Sequence, residues 1–224
     1  MMENILIVED EHRIRALLKD YLVIEQFNII EASNGNEGLH LFKQNDIKLV
    51  ILDIMMPGLN GLAVMEEIRK TSSVPIILLT AKSQEEDKLL GYELGADDYI
   101  TKPFSPKVLV AKIKALLKRT SSSTKGTIIS FSKLSVNKES MEVLVKGTSI
   151  TLTPKEYDLL LYLIENEKIV LSRDTILDGV WGYDYFGDNR VVDTTVKRLR
   201  EKLADASDYI VTVRGSGYKF EVKE

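Results

Sequence analysis

Between residues 3 and 119, short apolar runs rich in Ile and Val alternate with longer amphipathic stretches. Ile5 to Val8, Phe27 to Ala32, Lys48 to Leu52, Pro75 to Thr80 and Asp98 to Thr101 are the candidate strands. Glu11 to Glu25, Gly35 to Lys43, Leu62 to Lys70, Gln84 to Glu93 and Ser105 to Lys118 are the candidate helices between and after them. Parallel strands covered on both faces are near-continuous apolar runs, so this alternation predicts an α/β fold: a flavodoxin-like, doubly wound sheet of five parallel strands. Ligands in such open sheets bind beyond the carboxyl ends of the strands.

The pattern then breaks. Thr120 to Thr127 is small and polar, without an apolar period, which predicts a short linker between a first domain at 1–119 and a second at 128–224. Short segments at Ile128 to Phe131, Met141 to Lys146 and Ser149 to Leu152 predict a small antiparallel sheet. Thr153-Pro154-Lys155-Glu156 is a helix start, with Thr as cap, Pro first and Glu third, and the helix it opens runs to about Glu165. Ser172-Arg173-Asp174-Thr175 opens a shorter helix, and the polar turn from Gly182 to Asn189 leads into a third, Arg190 to Ala204. Tyr209 to Val213 and Tyr218 to Val222 flank Arg214-Gly215-Ser216-Gly217, a hairpin signature. Three helices closed by a hairpin describe an α+β winged helix-turn-helix domain.

The 224 residues hold no cysteine and two isolated histidines, His12 and His40, which excludes disulfides, thiolate metal sites and cysteine nucleophiles. Chemistry therefore falls to carboxylates, hydroxyls and lysines. Met1-Met2-Glu3-Asn4 lacks the basic segment and long apolar stretch of a secretory signal, and no apolar run approaches a membrane span, so a cytoplasmic protein with no membrane partner is expected. The net charge of −4 argues at first against nucleic acid.

The acids that matter lie at strand ends. Strand one runs into Glu9-Asp10-Glu11 and strand three into Asp53-Ile54-Met55-Met56-Pro57-Gly58, while strand four ends at Thr80 and strand five is followed by Lys102-Pro103. In the proposed sheet the first two ends are neighbours, so Glu9, Asp10 and Asp53 converge and repel, and a hard divalent cation such as Mg²⁺ relieves that repulsion. A carboxylate nucleophile, a metal, a hydroxyl and an ammonium make a set for phosphoryl transfer onto carboxylate. A single acid after a strand more simply caps the next helix, as Asp10 does for a helix starting near Glu11. Four such features at the ends of one sheet outweigh that reading. A flavin-binding domain of similar topology needs a small-residue phosphate loop where the acids stand, and a haloacid-dehalogenase-like phosphatase needs a second Asp where Met55 stands. No GxxxxGK[ST] or GxGxxG pattern occurs.

Glu9-Asp10, Asp53, Thr80 and Lys102-Pro103, with Gly95-Ala96-Asp97-Asp98-Tyr99 before the last, closely resemble the receiver domain of two-component response regulators. The resemblance implies that Asp53 accepts a phosphoryl group from a sensor histidine kinase. It implies that Asp10 and Asp53 ligate Mg²⁺, with Glu9 acting through water and Met55 giving its backbone carbonyl. Lys102 would pair with the phosphoryl group, Thr80 would move to bond it, and Tyr99 would follow Thr80 inward as the switch aromatic. The Lys102-Pro103 bond is expected to be cis.

On Arg190 to Ala204, Val192, Val196, Leu199 and Leu203 form one apolar stripe. Arg190, Thr194 and Lys197 lie roughly opposite it, with Arg198 on one flank and Arg200 on the other. Five basic residues against Asp193 and Glu201 between Asn189 and Lys202 give a local balance of +3. Such a face suits the major groove, although charged helix faces are often only solvated. This half resembles the winged-helix effector of OmpR/PhoB-type regulators through Leu152-Thr153-Pro154-Lys155-Glu156-Tyr157, Ser172-Arg173, Val180-Trp181-Gly182, Arg190-Val191-Val192-Asp193, Arg198-Leu199-Arg200 and Thr212-Val213-Arg214-Gly215-Ser216-Gly217-Tyr218. The resemblance implies promoter DNA contacts from Arg190, Thr194, Thr195, Lys197, Arg198 and Arg200 in the major groove and from Arg214 and Tyr218 of the wing. It also implies that the Gly182 to Asn189 loop meets RNA polymerase. Trp181 is expected to pack rather than to touch DNA.

The family's receivers pair as homodimers on phosphorylation through the fourth helix, fifth strand and fifth helix. Lys88, Asp97, Asp98 and Lys112 match polar positions of that face, but Val108 stands where Glu is usual and Lys112 where Arg is usual, which predicts a weaker or more apolar pairing. Val191 and Thr195 depart from the common Thr and His of the recognition helix, so the operator is not transferable from a relative. The expectation is a phosphorylation-switched transcriptional regulator rather than an enzyme. The competing readings are a phosphatase turning over phosphoaspartate and a regulator that works unphosphorylated.

Overall fold

The computed structural model describes residues 2–81, 96–120, 128–182, 185 and 188–222. The chain divides into two compact units, Met1–Lys118 and Arg119–Glu224. Among the described residues no helix is long and apolar enough to cross a membrane.

In the first unit, β1 (Asn4–Val8), β2 (Asn28–Ala32), β3 (Ile47–Asp53), β4 (Ile76–Ala81) and β5 (Asp98–Lys102) form one parallel sheet in the order β2-β1-β3-β4-β5. Successive residues of a strand face opposite ways, and here both faces are apolar. Leu6, Val8, Val50, Leu52, Ile76 and Leu78 pack with Val64, Met65 and Ile68 of α3 (Gly61–Arg69) and with Leu39 and Phe42 of α2 (Gly35–Gln44). Ile5, Ile7, Leu49, Ile51, Ile77 and Leu79 pack with Leu18 and Leu22 of α1 (His12–Ile24) and with Leu109, Ile113 and Leu116 of α4 (Pro106–Thr120). The sheet is thus doubly wound, and because every strand pair is parallel all five carboxyl ends lie on one rim. The helix expected at Gln84 to Glu93, with Lys88, lies outside the described residues. So does the proposed linker beyond Thr120, the last residue of α4.

The second unit opens with a four-stranded antiparallel sheet, β6 (Ile128–Ser130), β7 (Leu134–Asn137), β8 (Val143–Val145) and β9 (Thr148–Ile150), paired in chain order. Strand β7 was not foreseen: Leu-Ser-Val-Asn carries only two apolar positions, both buried here. Helices α5 (Pro154–Glu165), α6 (Arg173–Trp181) and α7 (Arg190–Leu203) follow, then a 3-10 helix at Ala204–Tyr209 and the hairpin β10 (Ile210–Val213) and β11 (Gly217–Phe220). The start of α5 is a full capping box: Glu156 N–H donates to Thr153 Oγ1 at 3.3 Å and Thr153 N–H to Glu156 Oε2 at 2.8 Å. The hairpin is tied to the entry of α6 by a backbone bridge between Leu171 and Tyr218. Gly217 makes that approach possible, since a Cβ there would stand 2.0 Å from the Leu171 carbonyl oxygen and its φ is +139°.

Candidate functional site

The acids of the first unit meet at the carboxyl rim because β1 and β3 are hydrogen-bonded neighbours, Val8 pairing with Leu52. Glu9 and Asp53 are buried and Asp10 is exposed, and each offers a carboxylate oxygen within 4.8 Å of the others. Lys102, brought in by β5 and followed by a cis peptide bond to Pro103, answers two of them. Its Nζ lies 2.8 Å from Asp53 Oδ2 and 2.7 Å from Glu9 Oε2. Asp53 Oδ1 accepts the Met55 N–H at 3.2 Å, and Glu9 Oε1 accepts the Glu11 N–H at 3.3 Å. Glu9, Asp10, Glu11, Asp53, Met55 and Lys102 line one cleft of about 410 Å³.

Electrostatics follow from that geometry. Burial, joined by the Asp53 charge and opposed by Lys102, pushes the Glu9 carboxyl up from 4.5 to about 7. Burial acts to lower the Lys102 ammonium, but hydrogen bonds to Asp53 and Glu9 outweigh it and raise the group above its ordinary value. Three carboxylates against one ammonium, with only oxygen donors and an open mouth, fit a hard divalent cation.

Thr80 and Tyr99 do not line the cleft. Thr80 is fully buried one residue past Leu79, the register partner of Asp53, and Tyr99 is half-buried against the α2/α3 side of the core. Two supports of the site were not foreseen. The Arg15 guanidinium donates to the Glu9 and Asp10 carbonyls at 2.7 and 3.0 Å, bracing the acidic turn, whose cap residue Glu11 makes no side-chain cap bond. Gly61, at the start of α3, lies against the Asp53 backbone, where a Cβ would stand 2.1 Å from its carbonyl oxygen.

The expected pairing face needs one correction. Asp97 is not on a surface: its Oδ2 accepts the Ile76 N–H at 2.8 Å and Arg69 Nη2 at 2.9 Å, and its side chain is wholly buried. Burial would leave that carboxylate without water, so it takes an internal cation and amide instead. Asp98 pairs with Lys112 of the same chain at 2.6 Å, and Val108 is half-exposed one turn before Lys112.

On α7, Arg190 and Lys197 are exposed, and Thr194 and Arg198 are half-buried. Three other expected DNA contacts are placed differently. Thr195 is buried and its hydroxyl donates to the Val191 carbonyl at 2.8 Å, because α7 is covered by α5 and α6 over a wider arc than its four-residue stripe. Tyr218 is buried and its hydroxyl donates to Asp193 Oδ1 at 2.6 Å. Arg200 Nη2 donates to the Ile210 carbonyl at 2.5 Å and to Thr212 Oγ1 at 2.8 Å, so it reaches into the hairpin. Arg214 is exposed at the hairpin tip beside Gly215, whose φ is +75°. Trp181 is half-buried at the end of α6, its ring facing Tyr185 and the Lys155 ammonium. Residues 183, 184, 186 and 187 of the expected polymerase loop lie outside the described residues.

Comparison with known proteins gives a family model described as the response regulator receiver domain over residues 5–114, and a second described as the C-terminal domain of transcriptional regulatory proteins over 147–220. The transcriptional regulatory protein SrrA of Staphylococcus aureus is 47% identical over 234 residues, covering 100% of this chain and 97% of that one. The solved response regulator DrrB of Thermotoga maritima, described as an OmpR/PhoB homolog, is 34% identical with a TM-score of 0.52, over 99% of this chain and 100% of that one. A mutant of RitR is 28% identical with a TM-score of 0.66 over the same shares.

Proposed function

The chain belongs to the two-component response regulators of the OmpR/PhoB type, with a receiver and a DNA-binding domain, and on that premise we propose that it is switched by phosphorylation of Asp53. The single observation that supports this most is the Asp53 carboxylate itself, buried at the rim between Lys102 Nζ and the Met55 N–H, with Glu9 and Asp10 beside it. An Asp53 oxygen attacks the phosphorus of a phosphoryl group presented by a sensor histidine kinase, and the bond from phosphorus to the donor breaks as the new one forms. The Lys102 ammonium, already within hydrogen-bond reach, passes from the carboxylate to a phosphoryl oxygen and holds the charge that arrives. Arg15 and Gly61 fix the backbone on either side, so the acids need no reorganisation.

Asp10 and Asp53, with Glu9 behind and the Met55 carbonyl beside them, are the groups that would hold Mg²⁺. When bound, the cation supplies positive charge to carboxylates and phosphoryl oxygens together. Thr80 and Tyr99 form the switch behind Asp53. Paired receivers then set two winged helices on neighbouring half-sites of promoter DNA, each reading the major groove with Arg190, Thr194, Lys197 and Arg198 and reaching the minor groove with Arg214, in contact with RNA polymerase in the cytoplasm.

Incubation with Mg²⁺ and a small phosphodonor tests the reading. A lasting acyl-phosphate adduct, lost in Asp53→Ala, is expected. Steady release of phosphate instead would favour a phosphatase, and promoter output untouched by Asp53→Ala would favour a regulator that works unphosphorylated.

A further inference from the structure

The DNA-binding unit contains a charged knot that its DNA contacts do not explain. Asp193 Oδ1 accepts Arg173 Nε at 2.7 Å and the Tyr218 hydroxyl at 2.6 Å. The Tyr218 ring lies 5.2 Å from the Arg173 guanidinium and 5.7 Å from that of Arg200. Arg200 in turn holds the Ile210 carbonyl and Thr212 Oγ1 of β10. Three elements meet here: the N-terminus of α6 through Arg173, α7 through Asp193 and Arg200, and the hairpin through Tyr218 and β10.

Partners, rather than position alone, set this knot apart from the reading face. At roughly 100° per residue, Asp193 and Arg200 share one flank of the helix, at the border of the face that carries Arg190, Thr194 and Lys197, and both turn to α6 and the hairpin. A carboxylate on a DNA-binding helix is repelled by phosphate, so its presence calls for another role. Asp193 has one: it joins the recognition helix to a tyrosine buried in the wing.

We propose that Asp193 is the positioning residue that fixes the wing against the recognition helix, and that Tyr218 and Arg200 serve DNA binding through this brace rather than by touching DNA. The brace sets where Arg214, in the hairpin turn four residues before Tyr218, stands relative to Arg190, Thr194 and Lys197 on α7. The wing and the helix then engage one duplex as a single rigid pair.

The test is a double-mutant cycle on the full chain, using a duplex selected by the wild-type protein from a random pool. Tyr218→Phe keeps the ring and its packing and removes only the hydroxyl. Tyr218→Phe and Arg214→Ala are each expected to weaken binding by about tenfold, and the double variant by little more than either, because a misplaced wing and a missing wing contact forfeit the same interaction. Asp193→Asn retains the acceptor oxygen and is expected to bind within about threefold of wild type, whereas Asp193→Ala matches Tyr218→Phe. Wild-type affinity in Tyr218→Phe would overturn the proposal, as would losses that multiply to about a hundredfold in the double variant, which would mean that Tyr218 touches DNA independently.

Discussion

Lys102 Nζ stands 2.8 Å from Asp53 Oδ2 and is held there by a second carboxylate, Glu9, at 2.7 Å. Replacing it with an uncharged chain of similar length, Lys102→Met, leaves two buried acids facing each other without a counter-charge. A hydrogen bond to a charged group contributes about 1.5–3 kcal/mol, and a loss of that size is expected above neutral pH in the absence of divalent cation. Added Mg²⁺ should narrow the gap, and Asp53→Asn in the same background should close most of it. Thermal unfolding measures each, and a Lys102→Met protein as stable as its parent in all conditions would sink the electrostatic account.

Glu9 gives that site a pH dependence. Its carboxyl titrates at about 7 in the fold against 4.5 as a free group, with burial as the main cause. The folded receiver therefore holds a proton between those values that the unfolded chain does not, so stability contributed by the neutral acid is full below 4.5 and is lost as pH rises through 7. A cation entering the site must displace that proton. Mg²⁺ affinity is expected to rise with pH across this window by up to about tenfold per unit and to level off above it. Glu9→Gln should flatten the profile in calorimetric titrations; an unchanged slope would mean that Glu9 is not the group that titrates.

Much of this site is legible in the sequence because parallel strands gather their carboxyl ends on one rim. Glu9, Asp10, Asp53 and Lys102 could be placed from strand order alone. The supports were not legible: Arg15 acts through main-chain carbonyls, and Gly61 through the absence of a side chain, neither of which leaves a pattern of charge or polarity. In the second unit the apolar stripe of α7 was visible, but its burial by two neighbouring helices was not, so Thr195 was expected on the wrong side. The internal partners of Arg200 and Tyr218 were hidden for a related reason. Their partners lie across the hairpin, 10 and 25 residues away, and spacing on one helix cannot reveal them. Asp97 and its half-buried neighbour Asp98 are alike in sequence, and only the fold, by placing Arg69 beside Asp97, distinguishes them.

Gly61 sets the Asp53 backbone. A methyl group there cannot be accommodated at 2.1 Å from a carbonyl oxygen, and the neighbour is main chain rather than a movable side chain. Overpacking of this kind costs about 1–3 kcal/mol. Gly61→Ala is expected to lower stability by that amount and, by shifting Asp53, to slow adduct formation from a small phosphodonor more than the lost stability explains. Equal rates at temperatures where both proteins are folded would show that the contact is structural only.

Val108 is exposed over half its surface, and Lys112, one turn on, is engaged with Asp98 in the same chain. A receiver face with an apolar residue in place of an acid should pair through contact area more than through ion pairs. Sedimentation of the phosphorylated chain is expected to show dimerisation that changes little with salt, and dimerisation that salt weakens in Val108→Glu. A tight dimer indifferent to both Val108→Glu and Val108→Ala would remove this face from consideration.

The low overall charge sharpens the expectation for DNA. Residues 121–224 hold 15 basic and 16 acidic side chains, a balance of −1, so no broad positive field draws this unit to phosphate. Among the described residues, the cations of the expected reading surface are local: Arg190 and Lys197 on α7, Arg198 on its flank and Arg214 on the wing. At about −0.9 per phosphate neutralised, three or four contacts give a log-log salt slope near −3 for one unit, and a pair on adjacent half-sites about twice that. Doubling the slope also doubles the favourable terms within one complex, since the second unit binds at the effective concentration set by its tether. Unphosphorylated monomer is therefore expected to bind random duplex weakly and with the shallow slope, and phosphorylated dimer to bind a selected site tightly and with the steep one. Fluorescence anisotropy over a salt series separates the two. Strong binding by the unphosphorylated monomer that salt does not weaken would mean that contacts other than these cations carry the affinity.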